Sequence, residues 1–167
     1  MLNDAATITV AKEIGQPADT VLYENLTNLF ARLHPACLAN SVLIANQTAI
    51  PELFELTIAF GTGGSFIPVM SEANGQFKIL TRSVIFTEKL NPLGDLGDIW
   101  LCDLSQNAVG LMRNGMRLDR SQHVKFTTDE TVWWLIVRAD GQGRWASAFT
   151  PVNGSLLSWA VTLAARA

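Results

Sequence analysis

Six consecutive apolar residues, Val132 to Val137, constrain this chain more than any other feature. Side chains along a strand alternate between two faces. Val132, Trp134 and Ile136 therefore share one face, and Trp133, Leu135 and Val137 share the other. Both faces are apolar. Such a strand belongs in the middle of a core or in a surface that another subunit covers. The surrounding stretch, Gly97 to Val152, is rich in β-formers and broken by turns. It holds no constellation of residues suited to chemistry, so it points to packing and assembly.

The 167 residues suit one domain with a sizeable core. About half are apolar and only 16% are charged, which is a globular balance. Net charge is −3 and no run of Lys or Arg occurs, which argues against sequence-driven binding to DNA. No apolar run reaches membrane-spanning length. The opening MLNDAATITV lacks the basic start and apolar centre of a secretion signal. Cys37 and Cys102 have no CxxC neighbour and no His at ligand spacing, so both read as buried, reduced thiols of a cytosolic protein.

Thr7 to Lys12 reads as a strand, broken by Gly15, Gln16 and Pro17. Asp19 or Thr20 is placed to cap a helix whose apolar stripe is Val21, Leu22, Leu26, Leu29, Phe30 and Leu33. His34-Pro35 ends it. Ser41 to Ala45 is a buried strand. Asn46 or Thr48 caps a second helix with Pro51 in its first turn and Leu53, Phe54 and Leu56 on its buried side. Together these suggest an αβα layer. Phe60 to Gly75 reads as a loop with short edge strands. Further strands are expected at Phe77–Leu80, Ser83–Thr87, Ile99–Asp103, Ala108–Met112, Val124–Thr127, Thr131–Ala139, Arg144–Thr150 and Leu157–Ala164. Asp140 to Gly143 is rich enough in Gly to reverse the chain between Thr131–Ala139 and Arg144–Thr150.

Candidate sites are few. Gly61 to Gly64 (GTGG) lacks the Lys and helix start of a phosphate-binding loop and reads as a flexible loop. Asp95, Asp98 and Asp103 form a sparse acidic cluster, suited to turn and strand-end hydrogen bonds. Catalysis would need them converging in a pocket. His34 and His123 stand far apart with no paired nucleophile. No catalytic, metal or cofactor site is expected. Arg113, Arg117, Arg120, Arg138 and Arg144 concentrate in the second half. They are either solvated surface or partners for Asp119, Asp129, Glu130 or Asp140 of a neighbour. Trp133, Trp134, Trp145 and Trp159 are the strongest packing anchors. Most are expected in the core and at least one at an interface.

Several strings carry a resemblance: GDIWLCDLSQNAVGLM, SQHVKFTTDETVWWLIVRADGQ and SAFTPVNGSLLSWAVTLAAR, with ATITVAKEIGQPADTVLYENLTNLFARLHP and NSVLIANQTAIPELFEL upstream. They are similar, in sequence and order, to the C-terminal half of tailed-bacteriophage major capsid proteins. This is the phage capsid family, whose shell-protein fold is typified by phage HK-ninety-seven. The resemblance implies an α+β fold with a mixed or antiparallel sheet, flanked by helices, and an extended hairpin. Residues 1–112 and 152–167 would form the axial domain and residues 113–151 the peripheral strands. The family's N-terminal arm, extended loop and spine helix would be absent, and with the loop the Lys–Asn crosslink of some relatives.

The function implied is structural: a phage or prophage capsid subunit, or a fragment of one, that self-assembles into an icosahedral shell around DNA without reading its sequence. Partners would be copies of itself or full-length capsid protein, in pentamers and hexamers, with portal or scaffold proteins beside them. The subunit-contact candidates are Arg113, Arg117, Arg120, Trp133, Trp134, Arg138 and Arg144. Location would be the virion, and the host bacterial cytoplasm before assembly. Alternatives are a truncated fragment that inhibits assembly, a small-ligand enzyme using GTGG and the acidic cluster, and a module whose Trp face binds a host protein.

Overall fold

The computed structural model describes residues 2–60 and 65–166, with the side chains at 59, 60, 65, 109 and 111–114 outside the described set. Gly61 to Gly64 lies outside the described residues. The chain divides into two compact units. One comprises residues 1–106 and 145–167, and the other residues 107–144.

The first unit is built on a seven-stranded mixed sheet. Its strands are β1 (Ile8–Val10), β2 (Val42–Asn46), β5 (Met70–Ala73), β6 (Gln76–Ile79), β7 (Arg82–Thr87), β8 (Ile99–Cys102) and β11 (Ala160–Leu163). The remaining strands of the chain are β3 (Thr57–Phe60), β4 (Ser65–Pro68), β9 (Asn107–Lys125) and β10 (Glu130–Gly143). The order across the sheet is β1-β11-β8-β2-β7-β6-β5. β1 with β11 and β2 with β7 are parallel, and the other neighbours are antiparallel. β3 and β4 form a separate antiparallel pair. β4 and β5 are short strands of the kind expected between Phe60 and Gly75, and β5 lies at the sheet edge.

All four residues of β8 and of β11 are buried. Ile99, Leu101, Val161 and Leu163 alternate with Trp100, Cys102, Ala160 and Thr162, so these central strands are covered on both faces. Trp100 still satisfies its indole by donating to the Gly97 carbonyl at 2.9 Å.

The helix α1 (Tyr23–Arg32) packs on β1, β8 and β11. Its stripe is as expected: Val21, Leu26, Leu29 and Leu33 are buried, with Leu22 and Phe30 partly so. Its cap is not. Asp19 and Thr20 lie upstream of the start, and Thr20 Oγ1 donates to the Pro17 carbonyl instead. The oxygen of Asn25, inside the first turn, accepts the Leu22 N–H at 2.9 Å and the Gln16 amide at 2.7 Å. A buried Gln16–Asn25 pair thus replaces the expected cap. The Asn46 side chain accepts the Thr48 N–H at 2.8 Å and starts a 3-10 turn, Gln47–Ala49, that leads into α2 (Ile50–Glu55). Leu53 is buried, but Phe54 is 49% exposed, so the second helix buries a narrower face than its sequence suggests.

The tail is locked by a group with no local sequence signal. Arg166 and Asp98 form an ion pair with both side chains fully buried. Arg166 also donates to the Thr20 carbonyl at 2.8 Å, and Asp98 accepts the Gly94 N–H at 3.0 Å. Gly94 has φ +93°, and a Cβ there would collide with the Asp19 carboxylate.

Candidate subunit-contact surface

The second unit is a single antiparallel hairpin of β9 and β10. Its reversal is not at Asp140 to Gly143. Asp140, Gly141, Gln142 and Gly143 are strand residues, paired with Gly110, Val109, Ala108 and Asn107. The chain turns through a 3-10 segment, Phe126–Thr128, and Asp129 takes the left-handed conformation at φ 52°. Asp tolerates that conformation through its short polar side chain, so no Gly is required. Ala108–Met112 and Val124–Thr127 are accordingly not separate strands. β9 runs unbroken from Asn107 to Lys125, and Arg144–Thr150 forms only an isolated bridge from Phe149 to Leu157.

Register decides what each face carries. Trp133 pairs with Arg120, Leu135 with Leu118, and Val137 with Met116. Trp134 pairs with Asp119, Ile136 with Arg117, and Val132 with Ser121. The first face is therefore an exposed apolar stripe of Met116, Leu118, Trp133, Leu135 and Val137 with one cation, Arg120. The second sets a polar strand beside an apolar one. Both tryptophans are open to solvent, Trp133 at 60% and Trp134 at 65%. Between the Val137–Met116 and Ala139–Leu111 pairs, residues 112–115 bulge opposite Arg138.

The five arginines differ. Arg117 forms an ion pair with Asp119 on its own strand at 2.6 Å. That hydrogen bond, and then the carboxylate's charge, raise the guanidinium pKa above its ordinary value. The Arg120 guanidinium lies 5.6 Å from the Trp133 ring centroid, a cation–π distance. Arg138 and Arg144 are exposed. The side chain of Arg113 lies outside the described residues. Two carboxylates offered above to a neighbour have partners in this chain: Asp119 holds Arg117, and Glu130 pairs with Lys125 at 2.6 Å.

The tryptophan expectation needs correcting. Of Trp133, Trp134, Trp145 and Trp159, only Trp159 is fully buried. Trp145 is half-buried and donates to Gln106 Oε1 at 3.3 Å, with its ring edge-on to His34. A two-stranded sheet offers no second layer, so Trp133 and Trp134 stay exposed. Trp100 is the additional core indole, and its place in a wholly apolar IWLC run signals it.

The acidic cluster has structural partners. Asp98 holds Arg166, and the Asp103 carboxylate accepts the Ser105 N–H at 3.0 Å. Asp95 is exposed. His34 Nδ1 accepts the Ala36 N–H at 3.2 Å, and His123 lies on β9. A 220 Å³ cavity lined mainly by apolar groups (Leu2, Ile44, Leu90, Trp100 and Cys102 among them) includes no carboxylate. Among the described residues, no three or more His, Cys, Asp or Glu gather to hold a metal. Among them, too, no helix is long and apolar enough to cross a membrane. Cys37 and Cys102 are buried and unbridged. Burial first, and then the charge of Asp103, push Cys37 up to about 11 and Cys102 up to about 12.

Among the described residues, the exposed apolar hairpin face stands out. The sequence profile of the phage capsid family matches residues 1–154. The chain belongs to the phage capsid family. Its mixed α+β architecture is a phage capsid fold. Among solved structures, this capsid protein is similar to the capsid of an empty GTA particle computed with C5 symmetry. That likeness has a TM-score of 0.63 at 11% identity, over 99% of this chain and 56% of the other. The chain thus spans little more than half the length of the capsid chain it matches. No curated protein matches it. Family and fold are those of a structural protein of the capsid.

Proposed function

We propose that this chain is a phage or prophage shell subunit that self-assembles with copies of itself, or with full-length capsid protein, into pentamers and hexamers around DNA. The exposed stripe of Met116, Leu118, Trp133, Leu135 and Val137 carries this reading. A lone two-stranded hairpin is marginal in water, and large contiguous apolar patches on a monomer mark contact sites. The hairpin unit would serve as the peripheral strands and the larger unit as the axial domain. Exposed Phe66 and Ile67 on β4 suit a contact near the ring centre. The virion would be its final location, with the host bacterial cytoplasm before assembly.

Light scattering coupled to size-exclusion chromatography tests this across a wide concentration range. Mass rising with concentration is the expected result. A monomer at every concentration would sink the shell reading and leave a stand-alone binding module.

A further inference from the structure

We propose that Asn153 is a site of spontaneous covalent modification, at which the Gly154 main-chain nitrogen closes a ring on the Asn153 side chain and expels its amide as ammonia. The same dipeptide at Asn74-Gly75 is held back by the fold. This inference is independent of the assembly reading above.

The chain carries Asn-Gly at 74–75, 114–115 and 153–154. The Asn114 side chain lies outside the described residues, so the comparison is between the other two. Glycine obstructs the ring closure least, because no Cβ crowds the attacking nitrogen. A Cβ at Gly75 or at Gly154 would meet nothing within 4 Å, so packing blocks neither site. Asn74 and Asn153 are both exposed, and among the described residues no hydrogen bond holds either carboxamide.

What differs is the backbone. Asn74 and Gly75 are the two central residues of the β5–β6 hairpin turn, at φ 55° and 72°. Ala73 pairs with Gln76, and Glu72 with Phe77. This is the Asn-Gly turn with both φ positive, and its geometry is set by the ladder it joins. Bringing the Asn74 carboxamide carbon onto the Gly75 nitrogen means rotating the main chain between them, which the ladder resists. Asn153 and Gly154 lie instead in an irregular stretch closed at its ends by Phe149 and Leu157, whose N–H groups donate to each other's carbonyls at 2.7 and 2.9 Å. Among the described residues, no main-chain hydrogen bond involves residues 151–155. Val152 is 98% exposed, so packing does not hold this stretch either. The attacking geometry is therefore within reach of ordinary loop motion. Val152 is bulkier than Ala73, so the preceding side chain gives Asn153 no advantage. The order of the two sites comes from the fold.

The chemistry needs only water and base. The Gly154 N–H gives its proton to hydroxide, and the nitrogen bonds to the Asn153 side-chain carbonyl carbon. The carbon–nitrogen bond of the amide breaks, and the NH2 takes a proton from water and leaves as ammonia. Water then opens the five-membered imide at either carbonyl. One opening leaves an aspartyl residue at position 153. The other leaves an isoaspartyl residue, with an extra methylene in the main chain. Each adds one negative charge, and a loop free of internal hydrogen bonds takes up the added length.

The test follows both sites in the purified chain at mildly alkaline pH. Tryptic peptides 145–166 and 33–78 carry Asn153 and Asn74 and are fragmented in the mass spectrometer. Isoaspartyl residues are counted by enzymatic methylation. In the folded chain Asn153 should convert several-fold faster than Asn74, with the isoaspartyl form in excess. In guanidinium chloride the two rates should converge. Asn153→Ser should remove the fast signal and leave that of Asn74 unchanged. Equal rates in the folded chain, a faster Asn74, or a preference for Asn153 that persists unchanged in denaturant would each overturn the proposal.

Discussion

β8 and β10 each hold a short apolar run with tryptophan in it, and the two runs meet opposite fates. Ile99, Trp100, Leu101 and Cys102 are sealed in by the rest of their own unit. Trp133, Trp134 and Leu135 face water. Local sequence makes both of them strands, and composition alone cannot tell one from the other. What differs is the layer count. β8 lies inside a seven-stranded sheet with helix α1 packed on it, and β10 has one neighbouring strand. An apolar run states that it will be covered, and the surrounding topology states by whom.

The comparison can be broken most sharply at the buried ion pair. Arg166→Ala leaves the Asp98 carboxylate buried and unpaired, which should cost about 3–5 kcal/mol in urea unfolding. Replacing both partners with apolar residues of similar volume should cost far less. Equal losses would mean that packing, and not the stranded charge, dominates that site. Next comes a pair of indoles. Trp100→Ala should cost about 3–5 kcal/mol. Trp133→Ala should change monomer stability by about 0.5 kcal/mol or less and weaken association instead. Similar destabilisation from both would show that the hairpin is covered within one chain.

The last expected effect is alkaline. Below about pH 8.5 both thiols are protonated whether the chain is folded or not. Above it, the unfolded chain releases their protons while Cys37 and Cys102 hold theirs until about 11 and about 12. Folding stability should therefore fall as pH rises through this window, by at most about 1.4 kcal/mol per pH unit for each thiol. The difference between the wild type and a Cys37→Ala, Cys102→Ala variant, measured by denaturant titration from pH 8 to 11, isolates this slope from Lys and Tyr.

Much of the first unit was legible in the chain. The 3.6-residue stripe of α1, its stop at His34-Pro35, and the strand at β8 follow from patterns a few residues long. The family was legible too, because several strings keep their order. What escaped depends on distant partners. Arg166 finds Asp98 across 68 positions, and Asn25 caps a helix from inside because Gln16 holds it there. The hairpin turn was misplaced because Gly141 and Gly143 advertise a reversal that Asp129 performs without glycine. The inequality of the two hairpin faces could not be read from β10 alone. It exists only once β9 is laid alongside in register.

That register rests on the four residues of the 112–115 bulge. Leu111 and Met116 are an odd number of positions apart, yet their partners Ala139 and Val137 project to the same side. The bulge therefore switches the parity of β9 halfway along. Shorten it by a single residue and the outer half of the strand rolls over, bringing Arg117 and Asp119 onto the face that carries Trp133 and turning Leu118 away. One small irregularity decides which side of the hairpin is greasy and which is wet.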